Sequence, residues 1–172
     1  MFVLAAGVVV LVFMMVGFHR GFVTSVLHLG STLFGLGIAK QFYQPFSDYL
    51  RLFLPFPKTL AYDAHYVLSL SQPELRFDRI CGFIFLVLIV KTMMYMVLNS
   101  LASVFNTRRR GITTRLLGAC VSIISAIVVL HLASYVCVLI PDAQMQTHIA
   151  QSHIGQWFVL KVPLLSEMTL NL

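Results

Sequence analysis

From Arg108 to Ala126 the chain reads RRRGITTRLLGACVSIISA, a basic cluster that runs directly into an apolar stretch. The apolar part continues to Ile140, which gives it the roughly 20 residues a helix needs to cross a hydrocarbon core about 30 Å thick. Lysine and arginine concentrate in cytoplasmic loops, so the arginine-bearing end also carries a direction. The segment therefore predicts a membrane crossing and names its inner end.

Three further apolar runs repeat the pattern. Of 172 residues, 59% are hydrophobic and 10% are charged, with a mean hydropathy of +0.89. Soluble domains carry about a quarter charged residues, so no single aqueous domain absorbs this imbalance. The expectation is an all-α membrane protein forming one domain over residues 1–172. Its four transmembrane helices, at about 2–18, 22–42, 80–103 and 116–140, are expected as two antiparallel hairpins. Interfacial helices are expected in the 43–78 connection, and an amphipathic tail helix at about 144–161.

In the first run, Phe2 to Phe18, His19 and Arg20 follow the apolar residues, the reverse of a signal peptide, so a retained helix with an outward amino end is expected. The tight turn at Arg20 and Gly21 makes the first two helices antiparallel neighbours. Ser31, Gly35 and Ala39 recur every four residues on the second helix, and Gly118, Ser122 and Ala126 do so on the fourth. That spacing lets helix backbones approach closely in lipid. Ala5 to Gly7, level with Gly35 in the first hairpin, is the expected receiver of the second-helix stripe.

Pro45, Pro55, Pro57 and Pro73 interrupt the long connection, where Phe46 to Leu54 is expected to lie along the interface. In the tail, Ile149, Ala150, Ile154, Trp157 and Phe158 share a helical face, with Trp157 as a headgroup-level anchor and Pro163 as a stop.

Lys91 is the exception within the third run. Counted from Ile80 it lies about 16 Å deep, near the middle of the core. A charge there costs about 2.5–3.5 kcal/mol on insertion scales, so the side chain is expected to face protein or a wet cavity, or to be neutral. Lys91, Tyr95, Asn99 and Ser103 recur every four residues and trace a polar strip toward Arg108, Arg109 and Arg110. The strip reads either as a vestibule wall or as hydrogen bonding to neighbouring helices. A helix beginning nearer Leu86 would instead make Lys91 an outer-edge residue.

Arg20, Arg108, Arg109, Arg110 and Arg115 are packed into the two short connections. The opposite side holds Lys40, Arg51, Lys58, Arg76, Arg79 and Lys161, diluted and offset by all six acids. Charge density thus favours both termini outside. The arginine cluster reads most simply as a topology signal and a contact for lipid headgroups.

Catalytic chemistry is not expected. Ser100, Ser103, Ser122 and Ser125 lack a Gly-x-Ser-x-Gly elbow, and His131 reads as the one histidine clearly inside a crossing. His148 and His153 stand five apart with no glutamate between them, a poor spacing for metal ligands. The three cysteines form no CxxC, although Cys81 and Cys137 fall at one depth, leaving a disulfide or two free thiols open. No cofactor and no nucleic acid is expected. The expected partners are the bilayer and either further copies of the chain or other membrane proteins.

The stretch FMMVGFHRGF, through Gly17, Arg20, Gly21 and Phe22, resembles the turn between the first two helices of the colicin V production protein family of bacterial inner-membrane proteins. Arg115-Leu116-Leu117-Gly118-Ala119 resembles that family's approach to helix four, and Ser152 with the following apolar helix and Pro163 resembles its tail. Ser122 stands where the family tends to have a second glycine. The resemblance implies a four-helix unit with an accessory role in toxin production or export, or in envelope homeostasis. The alternative is a small oligomeric transporter or channel whose path includes Lys91.

Overall fold

The computed structural model describes residues 2–50, 52, 73–105, 111–140, 147, 151–163 and 165–170. Among them are four long helices: α1 (Phe2–Arg20), α2 (Phe22–Leu50), α3 (Pro73–Phe105) and α4 (Ile112–Leu139). Two short ones follow, α5 (His153–Leu160) and α6 (Leu165–Leu170). Each of the first four contains a segment long and apolar enough to cross a membrane. Their outer faces carry the side chains that lipid accommodates, among them Leu4, Leu11, Met15, Leu88, Met93 and Met96, all exposed.

Connectivity makes two antiparallel hairpins, but the tightest packing lies across them. α1 packs chiefly on α4, and α2 on α3 and then α4, whereas α1 and α2 touch little beyond their turn. The stripe on α2 accordingly meets α3: a Cβ built on Gly35 lies 3.5 Å from the Val87 carbonyl, while Gly7 has nothing within 4 Å. The expected contact with Ala5 to Gly7 is thereby corrected. Small residues permit close approach without specifying which helix approaches.

Two helices are longer than expected. α2 passes through Pro45 to Leu50, and α3 starts at Pro73, so Phe46 to Leu50 are helix and not a separate interfacial piece. Proline removes one backbone donor and crowds the preceding turn, and membrane helices tolerate this where neighbours support the segment. Here the support is α3. Ser47 is buried against Gly82, whose built Cβ would stand 3.1 Å from the Ser47 Cα, and the Phe46 and Phe85 rings stack at 6.2 Å. At 29 residues, α2 is about 44 Å long, beyond the hydrocarbon thickness, so it tilts or projects past it. The remainder of the connection, including Pro55 and Pro57, lies outside the described residues.

The core gathers at one end, where α3 begins and α4 finishes. Ile80, Phe83, Tyr135 and Leu139 are almost wholly buried there, and Phe158, Val159, Val162 and Leu165 of the tail pack onto them. Within the expected tail helix Thr147 is helical, and α5 starts afresh at His153, where Ser152 is extended and its hydroxyl accepts from the Gly155 amide at 3.1 Å. Its inner face is formed by Phe158 and Val159, while Ile154 and Trp157 remain exposed. Ile149 and Ala150 lie outside the described residues. Cys81 and Cys137 are free thiols.

Candidate functional site: a basic cleft beside a glycine crossing

The site begins at the turn. Gly21 has φ 77°, a left-handed conformation that favours glycine, and its amide donates to the Gly17 carbonyl at 2.9 Å. α1 therefore ends sharply, and α2 starts with no linker. Just before the turn α4 crosses α1 with backbone on backbone. A Cβ on Gly118 would stand 2.6 Å from the Gly17 carbonyl oxygen and 2.9 Å from the Gly21 Cα, and one on Gly17 would collide with the Ser122 hydroxyl. Arg115 covers the outside of this crossing, its guanidinium 5.9 Å from the centre of the Phe18 ring. Gly17, Gly21, Arg115 and Gly118 thus form one structural unit. Arg20 ends α1 beside them, and Phe22 opens α2, partly exposed.

Because α4 holds α1 away from α2, a cleft of about 250 Å³ opens between them. Val12, Phe13, Val16 and Arg20 of α1 line it, with Ser25 and His28 of α2, Lys91 of α3, and Ser122 and Ser125 of α4. All four spanning helices contribute, and the lining holds three basic side chains and no carboxylate. The Ser25 hydroxyl points back toward the Gly17 carbonyl at 3.5 Å. His28 also faces Tyr95, with ring centres 5.6 Å apart.

Lys91 lies eighteen residues into α3, about 27 Å from the Pro73 end, and the helix does not begin near Leu86. Of the polar strip, Lys91 alone lines the cleft. Tyr95 borders it through His28, Asn99 is exposed elsewhere, and no side-chain detail is described for Ser103. Arg108, Arg109 and Arg110 lie outside the described residues.

His28, which was not singled out from the sequence, lies six residues into α2 and lines the cleft. Its signal was present in the sequence: a polar residue three positions after Ser25, hence on the same helix face.

His131 belongs to the opposite, packed half. Fully buried, it places Nδ1 2.5 Å from the Phe158 carbonyl and Nε2 3.0 Å from the Thr169 hydroxyl. A carbonyl only accepts, so Nδ1 carries a proton. The ring joins α4 to both tail helices. One turn further, the Tyr135 hydroxyl accepts from Arg76 Nη1 at 3.2 Å, linking α3 to the same place. Among the described residues no group of histidine, cysteine and acidic side chains could hold a metal ion.

The sequence model of the family described as Colicin V production protein matches residues 3–163. No curated protein and no solved structure matches the chain.

Proposed function

Because this chain belongs to the colicin V production protein family, we propose that it is an accessory membrane protein for toxin production or export, or for envelope homeostasis, with no catalytic chemistry of its own. The observation that carries the reading is the reach of the family match, which takes in all four spanning helices and most of the tail. The protein resides in the bacterial cytoplasmic membrane with both termini outside, a sidedness supported by the density of Arg20, Arg115 and Arg108 to Arg110 in the short connections. It acts by contact, with further copies of itself or with other membrane proteins.

The test is a strain lacking the chain, complemented with the wild type or with Gly118→Leu, scored for secreted toxin and for envelope integrity. Restoration by the wild type and failure of Gly118→Leu are expected. Absence of any phenotype in the deletion, or of any crosslinked membrane partner or second copy, would overturn the role.

A second reading, a small oligomeric transporter or channel, draws support from the position of Lys91 in a cleft lined by four helices. Four spans are few for a solitary carrier, so copies would have to assemble. Flux through liposomes that is unchanged by Lys91→Met would exclude it.

A further inference from the structure

We propose that the cleft between α1 and α2 binds a phosphate-class anion, supplied either by the headgroup of an anionic lipid or as the free ion. This goes beyond the accessory role above and holds whether or not the chain takes part in toxin production. The first support is sign and convergence. Arg20, His28 and Lys91 enter from three different helices, and no acidic residue lines the space. A guanidinium, an ammonium and an imidazole converge on the space from three helices, and charge-assisted N–H donors of this kind are met by the anionic oxygens of a phosphate group.

The second support is an unused hydroxyl. Ser125 is 8% exposed, lines the cleft, and makes no hydrogen bond among the described residues. The hydroxyls of Thr32, Thr92 and Ser134, by contrast, each donate to the carbonyl four residues back. A buried hydroxyl without a partner is costly, and an anion oxygen in the cleft would satisfy it.

Shape and position favour a ligand with an apolar part. The α1 wall of the cleft includes Val12 and Val16, which are 53% and 38% exposed on the apolar outer surface of the bundle. From Arg20, at the end of α1, to Val12 is about 12 Å along the helix. A headgroup can therefore enter sideways at Arg20 while its chains lie along α1. The anion would also offset the cost of holding the Lys91 ammonium within the membrane.

The full chain, purified in detergent, is titrated with phosphatidylglycerol, with phosphatidylcholine and separately with inorganic phosphate, and bound ligand is counted by native mass spectrometry. Phosphatidylglycerol is expected to bind about tenfold or more tighter than phosphatidylcholine, whose phosphodiester is the same but whose choline ammonium is repelled by the Arg20 and Lys91 charges. Lys91→Met should abolish the preference, Lys91→Arg should keep it, and Ser125→Ala should weaken it severalfold. His28→Gln and Ser125→Ala carry the test where Lys91→Met does not elute as folded protein. Lys91-dependent binding of inorganic phosphate without lipid would assign the free ion as the ligand, and a lipid preference without it would assign the headgroup. Equal binding of both lipids together with no phosphate binding, or a preference that survives every cleft substitution, would overturn the proposal.

Discussion

At the scale of single residues, Gly118 leaves no room for a side chain, since all three nearest neighbours of a built Cβ are backbone atoms. Its missing Cβ is occupied on the far side by the Gly17 and Gly21 backbone, which cannot rotate away as a side chain would. Gly118→Leu is therefore expected to separate α1 from α4, at a cost at or above the usual 1–3 kcal/mol or so for overpacking. Gly37→Leu is expected to be tolerated, because nothing stands within 4 Å of Gly37. Melting temperatures in detergent check the pair, and equal losses would contradict the crossing. The need for small residues at 118 and 122 was legible from their spacing, but the identity of the facing helix was not. A four-residue repeat marks a smooth face, and several neighbours can use one.

His131 makes a second residue-scale case. His131→Leu keeps the volume but removes the buried donor of the Phe158 carbonyl and the ring contact of the Thr169 hydroxyl, which retains its bond to the Leu165 carbonyl. About 1–3 kcal/mol is expected to be lost locally. Hydrogen exchange should quicken over residues 153–170 while α1 and the first half of α4 stay protected. Unchanged exchange in the tail would mean that apolar packing alone holds it. A histidine inside an apolar helix is either a satisfied packing residue or a proton carrier, and the two contacts with the tail favour the former for His131. Which atoms satisfy it depends on how the tail folds back, information that lies 27 and 38 residues away.

At the scale of elements, hydropathy located all four spans but misjudged two ends. Pro45 and the charges near Asp48 read as a break, yet the helix continues because Ser47 and Phe46 find Gly82 and Phe85 on α3. Tertiary support outweighed local preference, and local preference is all that a linear reading weighs. A disulfide tests this directly. With Cys81, Cys120 and Cys137 replaced by serine, Ser47→Cys and Gly82→Cys are expected to bridge under mild oxidation, since their Cβ positions lie 3.1 Å apart before any adjustment and disulfides need about 3.5–4.5 Å. Failure to bridge, with the protein folded, would mean that α2 stops short of Ser47. The cleft was the least legible feature. Lys91 was visible as an anomaly, but its companions Ser25, His28 and Ser125 come from other helices and meet it only through the exchanged packing of the hairpins.

Across the whole molecule the two ends differ in kind. One is filled by Tyr135, Phe83, Ile80 and the tail, with the Arg76, Tyr135 and His131 contacts tying three chain segments together. The other is held open by a glycine crossing and lined with basic groups. A rigid end and an accessible end suit a membrane unit that presents one face to partners or ligands while the opposite face anchors its shape.

The proposed role has the chain thread the bilayer four times with its arginine-bearing corners on the cytosolic side. The most direct measurement is labelling of single cysteines in intact cells by a thiol reagent that cannot cross the membrane. In a background lacking Cys81, Cys120 and Cys137, Gln156→Cys in the tail is expected to label from outside, and Thr113→Cys at the start of α4 only after lysis. Labelling of Thr113→Cys in intact cells, or both positions reacting from the same side, would contradict the threading.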